Sequence, residues 1–396
     1  MRIAKSYFVY SSTKINDLST SFQKTFNSSY PCTHMQAFVI IVVILGLGSW
    51  YYLGQPIFGK LPEGKRLERV QASPNYKGGK FVNQEHTPDF AEGVGMFDAA
   101  KSFLHKPDNT EPKGKVPSVR TDLKNLDPNK PQLIWFGHSS YLLKVDGLTM
   151  LVDPVFSGNA SPVNMFAKAF DGSNVYGVNE MPFIDVLLLT HDHYDHLDYK
   201  TILALKGKFG KIVTSLGVGA HLNHWGIPDE QMVELDWTQN TTLKEGFVIT
   251  AMPARHFSGR LFTRAQSLWS SFVYQTPHHK LYLGADSGYG KHFKEIGEQF
   301  GPFDLALLEC GQYNDMWPYI HMKPEEVVTA AKDLKSKVLM PVHWGKFSLA
   351  MHPWNEPIQR VSVAAKENGM AITTPLIGEP VVIGGHYPDS IWWNFE

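Results

Sequence analysis

The feature that most constrains this sequence is a cluster of potential metal ligands that directly follows an apolar run. The run 184–190 (IDVLLLT) is typical of a buried strand, and the HDHYDH that follows contains His191, His193, Asp195 and His196. This spacing lets the first two histidines face one ion, while the aspartate and the third histidine face a second ion from the following turn. Two-metal sites hold their ions about 3.5–4 Å apart, which one short loop can span. The cluster therefore predicts a metal site with two ions at the end of a strand.

Three later positions show the same pattern, an apolar run that ends close to a potential ligand. His256 follows FVITAMPA and one arginine, Asp286 follows KLYLGA, and His343 follows KVLMPV. Loops at strand ends are where active sites usually form, and a carboxylate has two oxygens with which to bridge two ions. We therefore expect two Zn²⁺ ions per chain, the first bound by His191, His193 and His256, the second by Asp195, His196 and His343, with Asp286 between them.

Composition narrows the classes of protein to consider. Of 396 residues, 43% are hydrophobic and 19% are charged, which fits a folded chain of one large domain or two ordinary ones. The 37 Lys and Arg residues do not exceed the 38 Asp and Glu residues, so the basic surplus that neutralises phosphates is missing and we expect no nucleic-acid partner. With only Cys32 and Cys310, neither a disulfide framework nor a cysteine-rich zinc finger can form. The 17 histidines remain as the pool for a metal site.

Residues 36–53 (QAFVIIVVILGLGSWYYL) form an uncharged, mostly apolar segment. Eighteen residues of helix span roughly 27 Å, close to the bilayer core of about 30 Å. The aromatic residues at its end suit a membrane interface, so we predict a single transmembrane helix. A cleaved signal peptide and a buried core helix are the alternatives, although the segment lacks both a small-residue cleavage site and a polar stripe.

The charges that flank this segment are unequal. Lys24 is the one Lys or Arg in the 20 residues before it, whereas Lys60, Lys65, Arg66 and Arg69 lie in the 16 residues after it. The positive-inside rule therefore favours a single-pass membrane protein whose following domain lies on the cytoplasmic side.

The rest of the chain divides by composition. Residues 1–35 are a polar tail, with Met35 as an alternative native start, and residues 54–117 are rich in Pro, Gly, Lys and Asn, which predicts an extended arm with one short helix at 96–104. From 118 to 396, short apolar runs alternate with helical stretches, as expected for one domain with the buried strands of an α/β or layered sandwich fold. We predict helices in this domain at 200–206, 291–300, 324–334 and 356–368.

The chain resembles the metallo-β-lactamase superfamily, whose His-x-His-x-Asp-His signature matches residues 191–196 at every ligand position. Further segments are similar, in the same order, to the branch that contains N-acylphosphatidylethanolamine-hydrolysing phospholipase D. They are IWFGHSSYLLKVDGLTMLVDPVFSGNASP (134–162), THDHYDHLDY, PARHFSGR, SLWSSFVYQ, GADSGYG, HMKPEEVV and PVHWGKFSLAMHPWNEP. The resemblance implies that residues 118–396 form an αββα sandwich with a metal site at one edge of its sheets. It begins near Ser73 and so does not include the predicted membrane helix.

This resemblance implies a zinc-dependent phosphodiesterase of phospholipase D type whose partner is a phospholipid in a membrane. The enzyme would hydrolyse N-acylphosphatidylethanolamine to N-acylethanolamine and phosphatidic acid, with a hydroxide between the two ions as the nucleophile. Asp195 and Asp286 would then be catalytic as well as ligands, and Asp195 would also orient the attacking water. His321 is predicted to act as an acid or to position the substrate, unless it only starts the following helix by bonding to backbone.

Other residues are predicted to support this chemistry. His138 and Asp153 match positions of the family and are expected to orient metal ligands, although both also suit ordinary hairpins. Tyr313 and Trp317 are expected to line an apolar groove for the substrate, although aromatic residues in loops also pack without such a role. Arg255 is predicted to bind phosphate through its fork of donors.

Two further classes of function fit the same ligands. A lactonase or a hydrolase of a different phosphodiester keeps the two metals and changes the substrate. A structural metal-binding or membrane-scaffold protein is the non-enzyme alternative, but structural zinc sites fill every position with protein ligands, whereas the predicted set leaves room for water. The sequence is compatible with a homo-oligomer and does not specify one.

Overall fold

The structure, a computed structural model, describes residues 30–395, with side chains from His34 onward. The described chain divides into two units, one that ends at Gln55 and one that begins at Pro56. Most of the predicted polar tail lies outside the described residues, and the alternative start at Met35 stays a prediction.

The first unit contains a long apolar helix, α1 (Tyr30–Leu53), which includes the predicted span 36–53. Its segment His34–Leu53 has a mean hydropathy of 1.9, and none of its most apolar window is buried. Within residues 30–395, α1 is the helix whose length and composition suit a membrane crossing, a test that a signal sequence near an N-terminus also passes.

Two mixed β-sheets form the centre of the second unit. Its strands are β1 (Tyr76–Lys77), β2 (Lys80–Phe81), β3 (Gln132–Trp135), β4 (Tyr141–Val145), β5 (Leu148–Val152), β6 (Ile184–Leu189), β7 (Phe209–Ser215), β8 (Met232–Leu235), β9 (Asn240–Lys244), β10 (Phe247–Met252), β11 (Gly259–Arg260), β12 (Thr263–Arg264), β13 (Ser271–Gln275), β14 (Lys280–Leu283), β15 (Leu305–Glu309), β16 (Leu339–Val342) and β17 (Pro380–Val382). The first sheet has the order β17-β3-β4-β5-β6-β7-β8, and the second has the order β16-β15-β14-β13-β10-β9. Strands β5 to β8 run parallel, as do β14 to β16, and the other neighbours in both sheets are antiparallel.

The second unit also contains α-helices, several of which cover the outer faces of the two sheets. They include α2 (Gly64–Gln71), α3 (Met96–Leu104), α4 (Tyr199–Leu205), α5 (Gly219–His224), α6 (His292–Gln299), α7 (Pro324–Asp333) and α8 (Glu356–Glu367). Successive side chains of a strand point to opposite faces, so Leu133 and Leu143 pack toward the second sheet, whereas Ile134 and Leu142 pack toward α4 and α5. Helices α6, α7 and α8 pack on the second sheet. The result is the αββα sandwich that the resemblance to the metallo-β-lactamase superfamily implied.

Residues 56–117, predicted to be an extended arm, are part of the second unit. Arg66 on α2 forms a salt bridge with the buried Glu234 at the end of the first sheet, with 2.8 Å between Nε and Oε2. Phe81 is 2% exposed and packs in a cluster with two tryptophans. The prediction that the folded domain begins near residue 118 is therefore corrected to Pro56, because a few apolar residues spaced along this polar segment suffice to dock it.

Candidate metal centre

The predicted metal ligands all follow the carboxyl ends of strands. In the first sheet, the loop after β6 carries His191, His193, Asp195 and His196. In the second sheet, His256, Asp286 and His343 follow β10, β14 and β16. These strand ends meet at one edge of the sandwich, where the seven side chains converge into groups whose potential ligand atoms lie within 4.8 Å of one another.

Together with His138, the seven side chains form two groups of four. The first group consists of His191, His193, His256 and Asp286, and the second consists of His138, Asp195, His196 and His343. The three histidines predicted to share one ion are thus together, as are the three residues predicted to share the other. His138, predicted only to orient a ligand, stands in the second group itself, with its Nε2 atom 2.9 Å from Asp195 Oδ2.

Asp286 lies between the two groups. Its Oδ2 atom is 3.2 Å from His196 Nε2 and 3.7 Å from His256 Nε2, and its Oδ1 atom is 3.1 Å from His343 Nδ1. One carboxylate therefore faces histidines of both groups, which is the position predicted for a bridging ligand.

The donor atoms fit bound cations better than they fit hydrogen bonds with one another. Nδ1 of His193 is 2.9 Å from His191 Nε2 and 3.2 Å from His256 Nε2. A single ring proton cannot satisfy three nitrogens that crowd together. In addition, His196 Nε2 and Asp286 Oδ1 are buried without a hydrogen-bond partner. A positive ion in each group would satisfy these lone pairs, because imidazole nitrogen and carboxylate oxygen are common ligands of Zn²⁺ and related metals.

Hydrogen bonds from behind fix the orientation of several ligands. Asp153, which follows β5, has Oδ2 at 2.8 Å from His196 Nδ1, and it also accepts bonds from the amide and hydroxyl of Thr190. His256 Nδ1 lies 2.9 Å from the carbonyl oxygen of Ile320. With their Nδ1 atoms held in this way, both imidazoles can present Nε2 to an ion. Asp153 thus stands where a ligand-orienting residue was predicted.

Burial and neighbouring charges set the protonation states of the ligand groups. Burial lowers the pKa of the His191, His256 and His343 imidazoles well below the usual value, so these rings are neutral at pH 7 and have lone pairs for a metal. Burial opposes ionisation of Asp286, but the charge of His196 outweighs it and holds the pKa of that carboxyl well below its usual range. The neutral His191, His256 and His343 rings and the ionised Asp286 are therefore in the states that metal binding requires. Burial lowers the pKa of His196, but the charges of Asp286 and Asp195 outweigh it and raise that pKa well above its usual value, so an ion bound there would have to replace the ring proton.

His321 lies beside the ligand groups, in the loop before α7. Potential ligand atoms of His321, Asp286 and His343 lie within 4.8 Å of one another. Its Nδ1 atom is 3.4 Å from Oε2 of Glu309, which is 1% exposed, ends β15 and accepts a bond from the Met322 amide. Burial raises the pKa of Glu309 to about 7. Sequence reasoning did not single out Glu309, although it ends an apolar run in the same way as the predicted ligands.

A cavity of about 290 Å³, here called the chamber, opens over the ligand groups. It is lined by Asp89, Phe90, Ala99, Phe103, His193, Asp195, His256, Phe257, Arg264, Asp286, Gln312, Trp317, Ile320, His321, His343 and Leu349. Helix α3 supplies part of the wall, because Phe103 stacks on Trp317 with 6.1 Å between ring centroids. Trp317 therefore lines the chamber, as predicted for a groove residue. Tyr313 is absent from the lining, and its hydroxyl bonds to Glu356 instead.

The structure does not place Arg255 where a substrate contact was predicted. Its guanidinium donates to the carbonyl oxygens of His86 and Tyr289 and to the hydroxyl of Thr87. These bonds hold the segment before α3 against the loop after β14. Each of the three guanidinium nitrogens of Arg255 thus already donates to a group of the protein. Arg264, which the sequence analysis did not single out, lines the chamber instead.

Comparison with known proteins identifies one superfamily. The beta-lactamase superfamily domain model matches residues 149–344, which include all seven predicted ligands. An uncharacterized protein of Mycobacterium tuberculosis is 39% identical over 329 residues, which are 82% of this chain and 88% of that protein. The mitochondrial N-acyl-phosphatidylethanolamine-hydrolyzing phospholipase D of Saccharomyces cerevisiae is 33% identical over 247 residues, which are 59% of this chain but only 52% of the yeast protein.

A solved structure agrees with the fold. The isothiocyanate hydrolase from Delia radicum gut bacteria superposes with a TM-score of 0.51 and 18% identity, over 63% of this chain and 98% of that one. Identity this low shows a shared fold and nothing about the substrate.

Proposed function

Since this chain belongs to the metallo-β-lactamase superfamily and has the site of a metal-dependent hydrolase, we propose that it is a phospholipase D that hydrolyses N-acylphosphatidylethanolamine in a membrane. The observation that carries the proposal is the joining of two ligand groups by Asp286 at the floor of a chamber with an apolar wall. Two ions suit a phosphodiester, whose attacking and leaving oxygens both carry charge as the bonds change. The apolar wall suits acyl chains.

The residues that would hold two Zn²⁺ ions are the two groups of four, with Asp286 shared between them. When bound, such ions polarise a phosphoryl oxygen and lower the pKa of water toward 7. In the reaction, a water oxygen bonds to phosphorus and the bond from phosphorus to the ethanolamine oxygen breaks. Phosphatidic acid keeps the phosphoryl group, and N-acylethanolamine leaves as an alcohol once it has received a proton.

The residues of this chain would bind the substrate and deliver that proton. His321 lines the chamber and has Glu309 behind one ring nitrogen, so its other nitrogen is the one that can hold a proton for the leaving oxygen. Asp195 lies at the chamber floor, where its carboxylate can accept a hydrogen bond from the attacking water. Phe103 and Trp317 exclude water from one side of the reacting atoms.

We further propose that α1 anchors the protein beside its substrate as a single-pass membrane helix. The apolar length of α1 supports this, and the four Lys and Arg residues that follow it favour a cytoplasmic second unit. An anchored enzyme meets a bilayer substrate without a separate binding step.

The proposed function is tested with the full chain in lipid vesicles, loaded with Zn²⁺ and given a panel of substrates. The panel contains N-acylphosphatidylethanolamine, phosphatidylethanolamine, a soluble phosphodiester and a lactone, and products are identified by mass spectrometry. We expect N-acylethanolamine and phosphatidic acid in equal amounts from the first substrate, at the highest kcat/KM of the panel.

The variant Asp286→Asn is the matched control, because it keeps the shape of the side chain and removes the bridging charge. Its rate should fall by a factor on the order of a thousand or more, as expected when two-metal charge stabilisation is lost. Faster hydrolysis of the lactone than of any phosphodiester would overturn the proposal in favour of a lactonase.

A further inference from the structure

We propose that Arg264 binds the phosphate anion of the substrate in the chamber and so selects anionic phosphoesters over uncharged esters. This inference rests on the proposed function, since it assigns the residue that recognises the charged part of that substrate. It assigns to Arg264 the phosphate contact that was predicted for Arg255.

The position of Arg264 is fixed by the metal-binding loop itself. Strands β11 and β12 form a short hairpin in which Gly259 pairs with Arg264. The Gly259 amide donates to Oδ1 of Asp192 at 2.6 Å, and Asp192 stands between His191 and His193. A Cβ at Gly259 would lie 2.7 Å from the carbonyl oxygen of Thr263, so this close pairing requires glycine. The hairpin therefore ties Arg264 to the loop that carries the predicted ligands His191 and His193.

One aromatic ring separates the guanidinium from those ligands. The Cζ atom of Arg264 lies 3.7 Å from the ring centroid of Phe257. The same ring also contacts His193 and His256, at centroid distances of 4.6 and 4.8 Å. Among the described residues that line the chamber, Arg264 is the only Arg or Lys. Arg264 is therefore the permanently charged side chain with which the described lining can attract an anion into the chamber.

The present partner of Arg264 is one that an entering anion can replace. Its Nη2 atom donates to Oδ1 of Asp89 at 3.1 Å, and the Asp89 side chain is 62% exposed. An exposed ion pair contributes little to stability, so exchanging Asp89 for a phosphate costs little. By contrast, the guanidinium of the buried Arg260 donates to backbone carbonyls of Asp192, Leu197 and Ile57.

A phosphodiester and a lactone differ in the charge that this arginine would recognise. A guanidinium offers parallel N–H donors that match two phosphate oxygens, and such charge-assisted bonds are stronger than neutral ones. An uncharged ester in the same place would leave the Arg264–Asp89 pair intact, so the guanidinium would add nothing to its binding. Arg264 thus gives the chamber a preference for anions that is independent of acyl-chain contacts.

The test compares Arg264→Met, Arg264→Lys and the control Lys80→Met in the zinc-loaded full chain. Lys80 lines a neighbouring cavity of about 470 Å³ that shares Arg264 with the chamber, so its removal deletes a nearby charge from outside the chamber. The substrates are bis(4-nitrophenyl) phosphate, an anion, and diethyl 4-nitrophenyl phosphate, which is neutral. Inorganic phosphate serves as an inhibitor and as a ligand in thermal unfolding, and zinc content checks that each variant keeps its metal.

For Arg264→Met we expect KM for the anionic diester to rise roughly ten- to a hundredfold, the value of a lost charge-assisted bond, with a much smaller change for the neutral triester. The inhibition constant of phosphate should rise by the same factor, Arg264→Lys should fall between, and Lys80→Met should match the unchanged protein. Equal KM values and equal phosphate inhibition in Arg264→Met and the unchanged protein would overturn the inference.

If the unchanged protein hydrolyses no phosphodiester, the proposed function fails separately. The role of Arg264 is then tested by the rise in unfolding temperature that phosphate causes. A rise in Arg264→Met equal to that in the unchanged protein overturns the role, and a smaller rise supports it.

Discussion

Asp286 is the residue on which the two halves of the site depend, because its two oxygens face histidines of different groups. The histidines in turn owe their orientation to neighbours such as Asp153 and the Ile320 carbonyl, which occupy their second ring nitrogens. At the scale of single residues, the site therefore depends both on the ligand side chains and on the neighbours that orient them, so that the other ring nitrogen of these histidines can face an ion.

Glu309 is expected to act through His321 and not on the substrate directly. Glu309→Gln removes the charge 3.4 Å from His321 Nδ1, so the histidine should lose its fixed orientation and kcat should fall roughly ten- to a hundredfold, with little change in KM. The measurement is a double-mutant cycle with His321→Gln on the zinc-loaded protein. If the two residues act as a unit, the double variant should be no slower than His321→Gln alone. Effects that multiply would show that Glu309 has a separate role.

Lys346 gives a pH-dependent contribution to stability away from the proposed chemistry. It is 1% exposed, and burial lowers its pKa to about 7 from the usual 10.5. Below pH 7 the amine is charged in both the folded and the unfolded state. Between pH 7 and 10.5 only the unfolded state binds the proton, so the free energy of unfolding should rise with pH in that range.

Comparison with Lys346→Met isolates this contribution. The free energy of unfolding of the unchanged protein, minus that of the variant, should increase by about 2–3 kcal/mol between pH 7 and pH 9. Urea unfolding at the two pH values, followed by tryptophan fluorescence, measures it. A difference that stays constant or shrinks would show that Lys346 keeps its proton when the protein is folded.

The ligands could be predicted from the sequence because each follows an apolar run, and strand ends of one sandwich edge meet in space. Arg264 could not be predicted in this way. It stands in the same loop region as Arg255 and Arg260, and only the hairpin pairing shows which of the three faces the chamber. The contact between Glu309 and His321 likewise depends on the packing of β15 against the loop before α7.

At the scale of secondary structure, strands were easier to predict than the segments that dock on them. The apolar runs coincide with strands of both sheets, and the predicted helices 200–206, 291–300, 324–334 and 356–368 agree with α4, α6, α7 and α8 to within one residue at each end. Helix α3 was predicted at its observed bounds. Helix α2 was missed because it is short and rich in charge, and its place depends on Arg66 reaching Glu234.

The docking of β2 and its neighbours can be tested at Phe81. Phe81→Ala should lower the free energy of unfolding by about 3–4 kcal/mol, because it leaves a cavity at a side chain that is 2% exposed. Phe97→Ala is the control, since Phe97 on α3 is 81% exposed and its loss should change stability by less than about 0.5 kcal/mol. If the two substitutions change the free energy of unfolding equally in urea, residues 56–117 are a loosely attached arm and the docking described here is wrong.

At the scale of the whole molecule, an apolar helix and a metal-dependent hydrolase unit occur in one chain. Removing residues 1–55 should move the protein from the membrane fraction to the soluble fraction, because α1 is the proposed anchor. Sedimentation of vesicles mixed with the shortened and the full chain measures this. Tight binding by the shortened chain would show that the second unit itself binds the membrane.

The pair of ligand groups joined by Asp286 is the central claim, and metal content tests it most directly. The full chain, stripped of metal, reloaded with Zn²⁺ and passed through a desalting column, should contain about two ions per chain by mass spectrometry, as in other two-metal hydrolases. The same treatment of Asp286→Asn should leave clearly fewer, because both ions lose their shared carboxylate. A content near one ion in the unchanged protein, or the same content in both proteins, would contradict a site of two joined ions.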